Sequence, residues 1–446
     1  MRRPDLAVRL TVTLPLTIVP IRDMAAKISS CVCMPQGYII VDMNASEISR
    51  PRPEEAVPLP GTLAGYLSMV PDPRVSRTRR HALGDILTTA VCAVLCGYRS
   101  YYDMAEFCRD YMDWLRQWLP LEGGVPSHDT FRRVLGLVNP SQFQSAFRLW
   151  TGSIRGRVEG DQVAIDGKAL RGCPDADGGV VYIVNAWSAS SHLVLGQVAV
   201  REKENEIVAI PRLLPLLDIR GSLVSIDAIG CQTEIAAGIR GRGADYFLAL
   251  KGNQPTARSE MEAFLVDAAA RGDAHVDRFE TLEKGHGRIE RRVCHVSRQI
   301  GWFADLPKWR DLRCVAMVEA TRTVRGVEGQ TERRLYLSSR ALTAEQALEA
   351  SRAHWGVEGM HWVMDVIFDE DRSRARERHA AENLATIRRI VNNILRVERD
   401  RGDPEKPPRL KQLMRRAARF DDFRKSLLRV FCRTLDEEAQ DAQEEK

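Results

Sequence analysis

The sequence predicts a mixed α/β protein: a mixed five-stranded sheet with helices, preceded by a helical region and followed by a basic helical tail. Three observations carry this. From residue 67 to 154 apolar residues recur at helical spacing. From residue 162 the period becomes that of strands, with helical stretches between the later ones. Two of the predicted strands close on an aspartate, Asp166 and Asp227.

The elements follow in order. Residues 48–61 carry four prolines among charges and read as a linker, leaving 1–62 as a poorly defined extension. Residues 63–156 read as a helical domain. Residues 81–95 are an apolar helix, and 101–118 are amphipathic, with Met104, Phe107, Tyr111, Trp114 and Leu115 on one stripe. Ser127 opens a further helix, Asn139-Pro140-Ser141 breaks it, and another runs over 142–154. Strands are predicted over 163–166, 180–189 and 193–200. An irregular helix follows from Ile207, with Pro211 and Pro215 inside it. A strand over 223–227, a helix over 233–242 and a strand over 245–250 complete the series. Three antiparallel strands, a helix, a strand, a helix and a strand are the element order of a ribonuclease-H-like core.

Residues 275–340 alternate with period two around Lys284-Gly285-His286-Gly287 and Arg325-Gly326-Val327-Glu328-Gly329, which predicts two hairpins. A β-rich insertion at about 256–342 therefore parts the fifth strand from a helical stretch over 344–365. The α/β unit spans 157–400, and 401–446 form the basic helical tail. Asp175-Ala176-Asp177-Gly178 reads as a turn, since no glutamate follows at calcium-loop spacing.

The net charge of +5 is modest, but residues 372–433 hold 19 Lys/Arg against 8 Asp/Glu, an excess of 11. Such a stretch suits a polyanion such as DNA; a set of solvated helix faces is the other reading. Ten cysteines in 446 residues form no disulfide framework and fit buried thiols in a reducing cytosol. No apolar run is long enough to cross a membrane as a helix. Met1-Arg2-Arg3 and the apolar residues after it hint at a signal peptide, but Arg9 and Pro15 interrupt them. A Walker loop, a dinucleotide glycine fingerprint and a zinc-protease histidine pair are all missing, so nucleotide-driven chemistry is not expected.

What chemistry the chain carries rests on carboxylates. Asp166 and Asp227 each stand where an apolar strand meets a loop, and Glu358 lies on the following helical stretch. On one helix, His354, Glu358, His361 and Asp365 share a face. Three carboxylates converging at one end of a sheet could hold two divalent cations, as hard ions prefer oxygen ligands. Such a pair clamps both the attacking and the leaving oxygen of a phosphodiester. Asp369, Glu370 and Asp371 form a second acidic cluster that offers an alternative third ligand. Strand-end caps are the plain reading of the two aspartates.

Four segments extend the pattern: Ala164-Ile165-Asp166-Gly167-Lys168-Ala169-Leu170-Arg171-Gly172, Ile226-Asp227-Ala228-Ile229-Gly230-Cys231-Gln232, Gly243 through Asn253-Gln254, and His354-Trp355-Gly356-Val357-Glu358-Gly359-Met360-His361-Trp362. In this order they resemble the bacterial DDE insertion-sequence transposases of the H-repeat-associated kind, over about residues 67–398. The resemblance implies that Asp166, Asp227 and Glu358 are the catalytic triad and the ligands of Mg²⁺, for which Mn²⁺ may substitute. It implies a metal-dependent transposase that cuts double-stranded DNA at the element's terminal inverted repeats and joins the ends to target DNA. It further implies a dimer in the synaptic complex, action on the cytoplasmic nucleoid, and an N-terminal domain that helps bind the element's ends. Related families place Tyr, Arg and Lys around the glutamate; here Ser351, His354 and Asp365 hold those positions, a different contact set.

The candidate DNA contacts are Lys168, Arg171 and Lys251 beside the carboxylate-bearing strands, Asn253 and Gln254 after the fifth strand, His354, and Arg132 and Arg133 near a helix start. Surface solvation, turn closure and a plain helical bundle are the competing readings of these groups. Two other functions fit the same residues: a metal-dependent nuclease without strand transfer, and an inactive or domesticated DNA-binding descendant.

Overall fold

In the computed structural model the described residues are 31–33, 39–41, 61–155, 160–174, 179–201, 206–285 and 287–429. The signal-like start, most of the proline linker, the turn at 175–178, the hairpin tip at His286 and the end of the basic tail lie outside them. The chain forms two units, Met1–Leu59 and Pro60–Lys446. In the first, strand β1 (Cys31–Cys33) pairs antiparallel with β2 (Ile39–Val41).

The second unit opens with six helices: α1 (Leu63–Ser68), α2 (Leu83–Leu95), α3 (Tyr101–Asp110), α4 (Met112–Leu115), α5 (His128–Leu137) and α6 (Pro140–Arg155). Helix α2 is buried along nearly its whole length, as its apolar sequence requires. Ser127 caps α5, its hydroxyl accepting from the Thr130 amide at 3.2 Å.

The sheet follows: β3 (Gln162–Pro174), β4 (Val180–Ser188) and β5 (Val194–Arg201), then helix α7 (Glu206–Leu213), β6 (Leu223–Ile226), helix α8 (Thr233–Arg240) and β7 (Asp245–Leu250). Strands β3, β4 and β5 are antiparallel, and β6 joins β3 and β7 in parallel. Their spatial order is β5-β4-β3-β6-β7. Among these strands the boundary that differs most from the reading of the sequence is the end of β3. Strand β3 does not end at Asp166 but continues to Pro174, held from there on by β4 alone.

Helix α9 (Pro255–Arg271) opens the inserted region, and β8 (Val276–Gly285), β9 (Arg288–Ser297), β10 (Cys314–Val324), β11 (Val327–Glu328) and β12 (Glu332–Ser338) follow. The two predicted hairpins are present, but they are not a separate layer. Strand β12 pairs with β7, so the inserted strands prolong the same sheet.

The predicted helix over 344–365 is two helices, α10 (Ala344–His354) and α11 (Gly356–Val366), parted at Trp355. A Cβ on Gly356 would overlap the Trp187 ring of β4, so only glycine lets α11 begin there. Helices α12 (Ala380–Asp400), α13 (Leu410–Arg419) and α14 (Asp421–Arg429) end the described chain.

Alternation along the strands builds two cores. Ala164 faces a cluster shared with the N-terminal helices, α11 and α12, whereas Val163 and Ile165 face one shared with α7, α8 and α9. Helix α12 binds the N-terminal helices to the sheet. Asn383 donates to the carbonyls of Leu135 and Val138 at 2.8 and 2.9 Å, and Asn393 to that of Val194 at 2.9 Å.

The basic stretch is not one exposed face. Arg388, Arg389 and Arg424 are buried, Arg424 lying over the rings of Tyr111 and Trp114. Helix α13 instead turns Leu410, Leu413, Met414 and Ala417 inward and exposes Lys411, Arg415, Arg416 and Arg419. Cys92, Cys96, Cys108, Cys173, Cys231, Cys294 and Cys314 are buried as well, and no helix among the described residues is long and apolar enough to cross a membrane.

Candidate active site

The parallel pairing of β3 with β6 ends at Ile165 opposite Ile226. One residue on, Asp166 and Asp227 follow side by side. Asp227 caps a tight turn over Ala228–Gly230, its Oδ1 accepting from the Ile229 amide at 3.0 Å. A Cβ on Gly230 would overlap the Ile226 side chain, so glycine is what lets the turn lie this close. Asn253 braces it by donating to the Ala228 carbonyl at 2.6 Å, and Gln254 donates to the Cys231 carbonyl at 3.3 Å.

Helix α11 brings Glu358 over this end of the sheet, exposed in its first turn. A fourth carboxylate joins the group: Glu206, the first residue of α7, lies against the backbone of Gly167. Burial first, then the charges of Glu206, Asp227 and Glu358, push Asp166 up to about 7. Burial and Asp227 push Glu206 up to about 7 as well.

Lys168 does not relieve this repulsion. Lys168 is 7% exposed and turned to Asp365 at 2.8 Å and Asp371 at 2.9 Å. Among the described residues no three His, Cys, Asp or Glu side chains stand close enough to hold a metal ion as they are. The carboxylates must draw together to do so, and their uncompensated charge fits a hard divalent cation. Asp166, Asp227 and Glu358, with Glu206 beside them, are the groups that would hold it.

A hydrogen-bond chain behind Asp166 positions His361 beside it. Arg389 Nε donates to Asn185 Oδ1 at 3.1 Å, which turns the Asn185 amide nitrogen toward His361 Nε2 at 3.4 Å. That nitrogen then accepts, so the network assigns the ring proton to Nδ1, 3.5 Å from Asp166 Oδ2. Burial, with Arg389 and Lys168 nearby, holds His361 down to about 3, so the ring is neutral.

The rival acidic cluster is already satisfied. Glu370 is fully buried and paired with Arg389; burial pulls its carboxyl upward, but Arg389 and Arg388 overcome this and hold it at about 2. Asp371 pairs with Lys168 and Asp369 with Arg99. Glu358, by contrast, is exposed and lies near enough to Asp166 for its charge to raise that carboxyl.

The candidate DNA contacts divide. Arg171 is 81% exposed, and Lys251 is exposed beside the site. Lys168 and His354 are not available: the first is locked in the ion-pair network, the second buried, its Nδ1 3.1 Å from Ser225 Oγ. His354 belongs to α10, so the break at Trp355 takes it off the face that carries Glu358. Asn253 and Gln254 close a turn. Arg132 and Arg133 both pair with Asp129, and Arg132 also with Glu377. Two groups without a sequence-based assignment stand out: Trp355, at the break between α10 and α11, and Trp362, on α11, are exposed on either side of Glu358, Trp362 by 58%. Glu206 escaped the reading of the sequence because it falls in a run of ordinary surface charges; Gly167 beside Asp166 was the one sign of a close approach.

Comparison with known proteins shows the family. Residues 159–394 match the family model described as transposase DDE domain, and 64–151 match the one described as DDE_Tnp_1-associated. The chain belongs to the DDE transposase family. It is 35% identical over 375 residues to "H repeat-associated putative transposase YhhI" of Escherichia coli K12, covering 82% of this chain and 97% of that one. It is 37% identical over 345 residues to "Putative transposase YncI" of Escherichia coli O157:H7, covering 75% and 87%. Over 73 residues, 16% of this chain and 87% of the relative, it is 37% identical to "Inactive transposase YbfQ" of Escherichia coli K12.

Proposed function

We propose that this chain is a Mg²⁺-dependent transposase with a ribonuclease-H-like core, which cuts the ends of its insertion element and joins them to target DNA. The observation that carries the reading is the pairing of Asp166 and Asp227 at the end of β3 and β6, with Glu358 near enough to act on Asp166 and no ion pair from these carboxylates to a described lysine or arginine. Divalent cations bound there would activate the attacking oxygen and neutralise charge on the leaving one. The carboxylates hold and space the cations; none needs to act as a general base. In the first step water adds to the phosphorus at the element's end and the 3′-oxygen leaves as a hydroxyl. In the second that hydroxyl attacks a target phosphodiester and displaces its 3′-oxygen.

The exposed Arg171, Lys251 and α13 basic residues suit phosphate contacts. The expected partners are the terminal inverted repeats and target DNA, with a dimer holding two ends in the nucleoid of the cytoplasm. The test is incubation with Mg²⁺ and labelled DNA bearing the flanking ends, beside Asp166→Ala. End-specific nicking that the variant loses supports the reading; nicking that persists in the variant removes the site assignment. Binding without nicking, in Mg²⁺ or Mn²⁺, would favour an inactive descendant.

A further inference from the structure

The face of α7 that carries Glu206 is fixed. Ala209, Ile210 and Leu213 follow it at helical spacing and are buried against the sheet. Glu206 therefore points inward from an anchored helix. It does so from the side of the sheet opposite α11, since α7 packs in the core that Val163 and Ile165 face, while Ala164 faces the other.

A carboxylate on that side would ordinarily be screened from Asp166 by the strand itself. Here two features open a notch. Strand β6 stops at Ile226, and the residue of β3 that points toward α7 at this level is Gly167. A Cβ there would overlap Glu206 Oε1 and come within 2.7 Å of its Cδ. The Glu206 carboxylate fills the place of the missing side chain, and among the charges acting on Asp166 that of Glu206 is the largest.

We propose that Glu206 is a fourth carboxylate of the cation site, a direct ligand reaching Asp166 and Asp227 through the notch at Gly167. This rests on the reading of the site as one for divalent cations. A helix-capping role is the competing explanation, because a carboxylate in the first turn of a helix is favourable on its own. The two explanations predict opposite signs. A cap stabilises the metal-free protein, whereas a ligand crowded among like charges destabilises it until a cation arrives.

The experiment is a Mn²⁺ titration of the full chain by calorimetry or electron paramagnetic resonance, without DNA, paired with melting in chelator. Glu206→Gln should weaken Mn²⁺ binding at least about ten-fold and raise the metal-free Tm. Gly167→Ala keeps every carboxylate but fills the notch, and should weaken Mn²⁺ binding similarly. If Asp166→Asn loses Mn²⁺ while Glu206→Gln keeps wild-type affinity and melts lower, Glu206 is a cap and the proposal falls alone. If the wild-type chain binds no Mn²⁺, the cation reading falls and this proposal with it.

Discussion

Two acidic clusters share strand β3 and helix α11, and their chemistry is opposite. At the open end of the sheet Asp166, Glu206, Asp227 and Glu358 face one another, and Asp166 and Glu206 are both pushed up to about 7. Behind them Asp365, Glu370 and Asp371 meet Lys168, Arg388 and Arg389, and Glu370 is held at about 2. Residue type does not separate the clusters; partners do. The inner one carries its own counter-charges and fixes β3, α11 and α12 together. The outer one makes no ion pair to a described lysine or arginine, which suits the proposed cation site.

The largest effect should separate chemistry from stability. Asp227→Asn should lower cleavage by at least about a thousand-fold, since loss of a ligand removes charge stabilisation at the reacting phosphate. Its DNA affinity should persist, and its metal-free Tm should equal or exceed that of the wild type. A Tm several degrees lower would mean that Asp227 is structural and would erase the contrast. Glu370→Gln should do the reverse. It leaves the Arg389 charge buried without its carboxylate counter-charge, at a cost of about 3–5 kcal/mol, readable by denaturant unfolding.

Acid tests the inner cluster independently. Glu370 is depressed from 4.5 to about 2, so its contribution is fully present above pH 4.5 and is lost as pH falls through about 2. A displacement of that size corresponds to about 3 kcal/mol. Unfolding measured from pH 5 to pH 2 should steepen accordingly in the wild type, and the Glu370→Gln variant should lack that part of the slope.

A smaller effect lies in the chain between the clusters. His361→Phe removes the N–H that faces Asp166 and leaves its carboxylate in place. Activity or Mg²⁺ affinity should fall about 10–100-fold, as for other groups that orient a metal ligand. The Kd for DNA should not change; a matching loss of DNA affinity would make His361 a substrate contact instead.

The sequence displays these clusters unequally, for physical reasons. Strand β7 is legible to the residue, Asp245–Leu250, because a short apolar run bounded by turn residues has one reading. Asp227 is legible for the same reason. The far half of β3 is not, because beyond Asp166 it is held by β4 alone and its composition turns polar. The break between α10 and α11 hides inside continuous helical periodicity, with Gly356 its single mark. The inserted strands show their period but not their neighbour, and pairing of β12 with β7 is a tertiary fact. Glu206 is the extreme case: its nearness to Gly167 spans 39 positions of chain (206 − 167), with nothing local to announce it.

The smallest effect concerns two basic residues three apart on β3. Lys168 and Arg171 look alike in sequence, yet one is 7% exposed and the other 81%. Arg171→Gln should weaken DNA binding a few-fold and lower the slope of log K against log salt by about one, the signature of one lost phosphate contact. Folding should be unaffected, as its ion-pair partner among the described residues, Asp371, is 4.0 Å away and already paired with Lys168. Lys168→Met should behave as an inner-cluster variant, destabilising the fold because Asp365, Glu370 and Asp371 lose their shared cation, while leaving the salt slope of the folded protein intact. If both variants changed the salt slope equally, Lys168 would have to leave its acidic partners when DNA binds, and the inner cluster would be part of the DNA site.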